Sequence, residues 1–163
     1  MAVTATTDLL RYTLTTSPPD LVRATAGHPR QARLEIAVTR NPAADGVPDC
    51  RSITVEVPTG DGADALTARA ERIDTAYRAP HGRGWHIRAT TPEPGRTVFT
   101  CTPEGPRGKA GFDDREDFTL VLERIPLTGP PGTVQLRISD ETATGSGAYA
   151  RRSTVLPVAV VGE

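Results

Sequence analysis

The chain has 163 residues, and its 19 lysines and arginines against 20 acidic residues give a formal net charge of −1. At this charge the chain lacks the overall attraction that drives most binding to nucleic acids and anionic membranes, so neither partner is expected. The length suits one domain over 1–163 with a sizeable core, and no apolar stretch approaches the roughly 18 residues of a membrane span.

Three segments in the first half of the chain alternate apolar and polar residues, which is typical of half-buried strands. Fifteen glycines and fifteen prolines agree with short strands joined by turns. A turn at 17–20 ends the first segment, and Leu21 and Val22 are predicted to form a short edge strand. The predicted inward residues are Leu10, Tyr12 and Leu14 in the first segment, Leu34, Ile36 and Val38 in the second, and Ile53, Val55 and Val57 in the third.

The segment 61–77 allows two structures. Leu66, Ala70 and Ile73 fall at helical spacing, and Asp61 could cap the first turn of a helix. A short helix near 63–73 and a loop-rich crossover are therefore both compatible with the sequence.

The second half of the chain contains further strand patterns and no regular alternation of helices with strands. Weaker strands are predicted at 85–89 and 96–101, and a last strand at 153–160 contains Pro157, which suits an edge. These patterns predict an all-β fold in which two antiparallel sheets pack face to face. The clearest inward residues are Phe118, Leu120 and Leu122, followed after a Gly/Pro-rich turn by Val134, Leu136 and Ile138.

The segment from Leu34 to Pro42, preceded by Ser17-Pro18-Pro19 and by Ala26-Gly27, resembles the opening of bacterial immunoglobulin-like modules. The resemblance covers about sixty N-terminal residues and implies an immunoglobulin-like sandwich of seven to nine strands. Such modules host unrelated functions, so the resemblance implies a fold and no activity. The chain departs from antibody-type domains, because Trp85 lies between Cys50 and Cys101 at spacings that do not suit their Cys, Trp, Cys order.

The two cysteines are predicted to be free thiols. Counting back from Ile53 places Cys50 on the solvent side, whereas Cys101 shares the inward side with Phe99, although a bulge would reverse this placement. The N-terminus has no basic region followed by an apolar run, so a cytoplasmic location is expected, and secretion if a leader has been removed. A reducing cytoplasm agrees with free thiols.

An acidic run is the first candidate site. Asp113, Asp114 and Asp117 surround Arg115, and carboxylate oxygens at this density could hold calcium. The run lacks the regular spacing of a calcium-binding loop, and a solvated loop that leads into a strand explains it as well. Calcium is the one cofactor that the sequence suggests.

A basic patch around the single tryptophan is the second candidate site, and it consists of Arg78, Arg83, Trp85, His86 and Arg88. Cationic groups beside an aromatic ring could meet a phosphate, a base or an acidic partner surface. Two strands with solvent-facing arginines give the same pattern without any ligand. His81 and His86 lack the third ligand that a zinc site needs.

The sequence has neither the Gly-x-Ser-x-Gly turn of a serine hydrolase nor a phosphate-binding loop. We therefore predict a non-catalytic binding or assembly module that meets a protein partner or another copy of itself through loops and edge strands. One alternative is a calcium- or carbohydrate-binding sandwich. The other is a small hydrolase that uses His81 or His86 as a base.

Overall fold

The computed structural model describes residues 2–81, 83–105, 107–145 and 147–162, and most of these residues lie in strands. The only helical segment among them is a 3-10 helix over Ala70–Arg72, and no helix has the length and hydrophobicity needed to cross a bilayer. The strands are β1 Val3–Thr6, β2 Leu10–Ser17, β3 Leu21–Val22, β4 Gln31–Arg40, β5 Pro48–Pro58, β6 Asp74–Arg78, β7 Trp85–Glu93, β8 Arg96–Pro103, β9 Ala110–Gly111, β10 Phe118–Pro126, β11 Gly132–Thr144 and β12 Ala150–Val161.

The strands form two sheets packed face to face. The first sheet has the order β1-β2-β4-β10-β6, and the second has the order β3-β12-β11-β5-β8-β7, with β9 paired to β5. All described pairs are antiparallel except β3 with β12. The predicted all-β sandwich of two packed sheets is confirmed, and the described ranges contain twelve strands where seven to nine were predicted.

The core lies between the two sheets and consists of the side chains that alternate inward. Each inward residue predicted from the alternation is almost completely buried, and burial of one such side chain contributes about 1.5 to 3 kcal/mol. The buried set includes Leu10, Tyr12, Leu14, Leu34, Ile36, Val38, Ile53, Val55, Val57, Phe118, Leu120, Leu122, Val134, Leu136 and Ile138. The period of two in the sequence therefore identified the core.

No α-helix forms near 63–73, so the crossover is the alternative that the structure adopts. Leu66 donates its N–H to the carbonyl of Pro58 at 2.9 Å, and Gly60 donates to the carbonyl of Thr67 at 2.9 Å. These contacts hold the segment against the end of β5, and Leu66 is buried there. Burial of the segment outweighs its weak helical spacing.

Cys50 faces the core, so its predicted solvent-facing position is wrong. The register of β11 with β5 shifts between Glu141, which pairs with Ser52, and Thr142, which pairs with Cys50. Arg51 is the extra residue of this bulge, and it reverses the direction of Cys50. Both thiols are free and buried, and burial raises the pKa of Cys101 to about 12.

A buried polar network joins the two sheets. Asp140 of β11 is 1% exposed, and its carboxylate accepts hydrogen bonds from the Tyr12 hydroxyl at 2.5 Å and the Thr7 hydroxyl at 2.8 Å. The Thr142 hydroxyl donates to the other carboxylate oxygen at 2.8 Å and accepts from Nη1 of Arg152 at 3.0 Å. Burial, followed by the charge of Asp140, raises the pKa of Tyr12 well above its usual value.

Candidate binding site at the open side of the sandwich

One side of the sandwich ends in two strands that each have a single neighbour. β6 pairs only with β10, and β7 pairs only with β8 among the described strands. Tyr77 of β6 pairs with inward-facing Leu120, and Ala89 of β7 pairs with inward-facing Phe99, so both side chains point toward the space between the sheets. Tyr77 is 38% exposed and Ala89 is also exposed, which shows that this side is not closed.

The backbone of β7 has free hydrogen-bonding groups at its outer edge. Glu104 donates its N–H to the carbonyl of Gly84 at 2.9 Å, so Gly84 and every second residue after it bond to β8. Ile87 and Ala89 lie at the alternate positions and direct their N–H and C=O groups away from β8. Ile87 is half-buried and Ala89 is exposed, so a second strand can reach these groups.

The edge of the same sheet at β12 is interrupted near its C-terminal end. The carbonyl of Val161 accepts from the N–H of Arg23 at 2.9 Å, and β3 covers Val160 and Val161. Pro157 shares the alternation of Val161 and has no N–H to offer at the open edge. The predicted edge position of Pro157 agrees with this arrangement, whereas no described strand covers the outer edge of β7 and no proline interrupts it over 85–91.

A charged cavity of about 390 Å³ lies beside the start of β7. The residues that line it come from the loop between β6 and β7, from the end of β8 and from the loop before β10. The guanidinium of Arg83 donates to the carbonyl of Glu104 at 3.4 Å and helps to hold the two loops together. The lining residues are His81, Arg83, Gly84, Glu104 and Glu116.

The carboxylates around the charged cavity have different environments. Desolvation raises the pKa of Glu116, while the charges of Arg83 and His81 oppose that rise. Hydrogen bonds from the N–H groups of Arg115 and Glu116, at 2.9 and 3.0 Å, lower the pKa of Asp113. Oε1 of Glu116 and Oδ1 of Asp117 are buried and accept no hydrogen bond from the described residues.

A second cavity, of about 440 Å³, lies toward the other end of β7. Ala89 and Thr91 of β7 line it together with Thr97 of β8 and the segment that contains the 3-10 helix. Most of the side chains that line this cavity are small, and no residue of β6 is among them. A larger cavity of about 530 Å³ near His28, beside β3, contains none of the predicted site residues.

The predicted basic patch does not form one surface. Trp85 is a core residue that stacks on Phe118 with 4.1 Å between ring centroids, so its predicted role as a surface aromatic is wrong. Arg78 forms an ion pair with Glu35 on the outer face of the first sheet. Alternation along β7 turns Trp85 inward and its two basic neighbours outward. Arg83 lines the charged cavity, and His86 and Arg88 are exposed on the outer face of the second sheet.

The three predicted calcium ligands have separate environments. Asp113 caps a turn, and Asp114 lies 3.3 Å from Nη1 of Arg40 with its side chain 89% exposed. Asp117 has one buried oxygen that accepts no hydrogen bond from the part of the chain that the structure describes. Within the described ranges, no three His, Cys, Asp or Glu side chains are arranged to hold a metal ion. Calcium binding by these residues stays a prediction.

Sequence reasoning missed Ile87, Ala89, Glu104 and Glu116 as site residues. The hairpin register would have indicated Glu104, because a pairing of 85 with 103 brings 84 and 104 together. Glu116 reaches the cavity from a different part of the chain, and no local pattern links it to His81. The free edge depends on which strand ends the sheet, which alternation alone does not reveal.

No protein-family model matches the chain, and neither does any curated protein sequence. Solved structures do match it. One is described as AvmM, which catalyses macrocyclization in alchivemycin A biosynthesis; it has a TM-score of 0.53 and 12% identity, and the match covers 96% of this chain and 90% of that chain. At this identity, the likeness concerns the fold alone.

Two further structures match with lower scores. A cohesin module from a family 33 glycoside hydrolase of Clostridium perfringens has a TM-score of 0.43 and 10% identity, with full coverage of both chains at 100%. AggA, the major subunit of aggregative adherence fimbriae type I from Escherichia coli, has a TM-score of 0.39 and 14% identity, covering 94% of this chain and 95% of that chain. These two scores carry no argument about this chain.

Proposed function

We propose that this chain is a non-catalytic binding module that takes up an extended segment of a partner protein at the free edge of β7. The observation that carries the proposal is the outward direction of the N–H and C=O groups of Ile87 and Ala89 at an accessible edge. Addition of a strand to such an edge gives affinity through main-chain hydrogen bonds and specificity through alternate side chains.

The surroundings of β7 support strand addition. An added strand would extend the six-strand path of the second sheet and cover the open space that Tyr77, Ile87 and Ala89 border. The cavities at the two ends of β7 could receive side chains from the same segment. Since β3 and Pro157 interrupt the opposite edge over 157–161 and no described strand covers β7, the proposal places the partner at β7 in this sheet.

Selection from a random peptide display library tests the proposal, with Ala89→Pro as the key variant. Proline at 89 removes an N–H that points away from β8, so the ladder between β7 and β8 should stay intact. We expect peptides enriched on the unmodified chain to lose at least about tenfold in affinity for Ala89→Pro, since the variant loses one main-chain bond and the proline ring crowds the added strand.

Val155→Pro is the matched control, because Val155 has the same edge direction on β12 as Pro157. Enriched peptides should bind this variant with unchanged affinity. Circular dichroism should show that both variants keep the spectrum of the unmodified chain. Peptides that bind Ala89→Pro as tightly as the unmodified chain, or no enrichment at all, would contradict strand addition at β7.

A second candidate function is hydrolysis in the charged cavity. The observation that favours it is His81 beside two glutamates in one cavity, with desolvation raising the pKa of Glu116. Histidine and a carboxyl group of raised pKa are common acid–base partners, and a positioned base contributes about 10² to 10⁴ in rate. His86 faces the outer side of β7 and is not part of the cavity lining.

Hydrolysis of p-nitrophenyl acetate distinguishes the two functions. If His81 is catalytic, the His81→Ala variant should lose at least about a hundredfold in the rate of hydrolysis. His28→Ala, at another exposed histidine, should keep the full rate. The binding-module proposal expects all three proteins to show the same slow rate. A loss specific to His81→Ala would favour the hydrolase instead.

A further inference from the structure

We infer that the segment taken up by β7 is acidic, with carboxylate side chains placed opposite Arg88 and His86. This inference rests on the proposed strand addition and names the chemistry of the partner. Residues directly opposite each other in adjacent antiparallel strands point to the same face. Since Arg88 and His86 point to the outer face of the sheet, the partner residues opposite them do so as well.

Arg88 is available for such a partner. It is exposed, and no hydrogen bond or ion pair joins its guanidinium to another described residue. Its neighbour in the ladder is Thr100, an uncharged side chain of β8. The neighbour of His86 in the ladder is Thr102, which is also uncharged. An incoming carboxylate would therefore meet a cation that has no competing partner within the described chain.

The outer face of the second sheet has an excess of positive charge. Three of its glutamates are already in contact with arginines: Glu56 with Arg96 and Arg137, Glu93 with Arg96, and Glu141 with Arg51 at 2.7 Å. Glu104, opposite Gly84, also points to this face and is in no ion pair within the described chain, so the uncompensated positive charge lies at Arg88 rather than at the start of β7. The charged residues of this face include Arg51, Arg88, Arg96, Arg137 and Arg151 against Glu56, Glu93, Glu104 and Glu141.

Charge also argues against a second copy of the chain as the occupant. If two β7 strands paired about a two-fold axis at Ile87, Arg88 of one copy would lie opposite His86 of the other. This pairing places basic side chains together and supplies no carboxylate to Arg88. A partner with alternate acidic residues satisfies the same backbone groups and gains attraction on the outer face.

Two blocked seven-residue peptides test the inference by NMR titration of the ¹⁵N-labelled chain. In one peptide glutamate alternates with valine, and in the other lysine replaces glutamate. We expect both to shift the amide signals of Ile87 and Ala89, with the acidic peptide binding at least about fivefold more tightly. Arg88→Glu should reverse this order, whereas Arg33→Glu, on the outer face of the first sheet, should leave it unchanged.

N-methylated peptides separate strand pairing from simple charge attraction. The valine side chains of the bound peptide point toward the core, and the N–H groups of these valines point at β7. Methylation of the valine nitrogens should therefore abolish binding. Methylation of the glutamate nitrogens, which point away, should leave it intact. Equal affinity of the acidic and basic peptides would overturn the acidic preference and leave strand addition standing. Absence of any shift at β7 with both peptides would overturn strand addition itself.

Discussion

Replacing Gly129 with alanine is expected to lower the free energy of unfolding by about 3 kcal/mol or more. Gly129 lies in the turn between β10 and β11, against the crossover that packs over the end of the sandwich. A Cβ at this position would lie 1.9 Å from the carbonyl oxygen of Ala65 and 3.0 Å from that of Leu66. Backbone atoms form this contact, so no side-chain rotation can relieve it.

The clash would also separate two segments that hold each other in place. Gly129 donates its N–H to the carbonyl of Leu66 at 3.3 Å, and Oγ1 of Thr128 accepts from the N–H of Ala68 at 2.9 Å. Leu66 is buried beneath this contact. Moving the crossover away would therefore lose hydrogen bonds and expose apolar surface together.

Urea unfolding followed by the fluorescence of Trp85, the single tryptophan, measures the change. Gly95→Ala is the control, because a Cβ there meets nothing within 4 Å and the backbone is outside the left-handed region. We expect this control to change stability by less than about 0.5 kcal/mol. Equal losses for the two variants would show that the contact with Ala65 is not the cause.

The alternation of apolar residues predicted the sandwich because the inward side of each strand can be recognised from the sequence of that strand alone. Leu34, Ile36 and Val38 needed no knowledge of their neighbours to be placed in the core. The predicted position of Cys50 was wrong for a physical reason. One extra residue at Arg51 shifts the register, and nothing in the local sequence indicates the bulge. Patterns of period two are therefore reliable only up to the first irregularity.

The candidate site was harder to predict because its parts come from separate strands. Alternation from Trp85 places His86 and Arg88 outward, so the sequence could have separated the aromatic ring from the charges. The free edge at Ile87 depends on β7 being last in its sheet. The charged cavity requires Glu116 to approach His81, which is a contact between distant segments.

Replacing Asp140 with alanine is expected to cost about 3 to 5 kcal/mol of stability. The substitution would leave the hydroxyls of Thr7, Tyr12 and Thr142 buried without their acceptor, and each unsatisfied group costs about 1 to 3 kcal/mol. Asp140 continues the inward alternation of β11 two residues beyond Ile138, so this carboxylate occupies a core position. Equilibrium unfolding in urea measures the loss.

Two comparisons isolate the cause of that loss. Asp8→Ala removes the exposed carboxylate that lies 3.4 Å from Arg152, and we expect it to cost less than about 1 kcal/mol because solvent screens such pairs. Tyr12→Phe removes one donor to Asp140, so the double variant with Asp140→Ala should lose less than the sum of the single losses. If Asp140→Ala does not fold, Asp140→Asn keeps the volume and permits the same cycle. Additive losses, or an Asp140 variant as stable as Asp8→Ala, would contradict a network that joins the two sheets through one buried carboxylate.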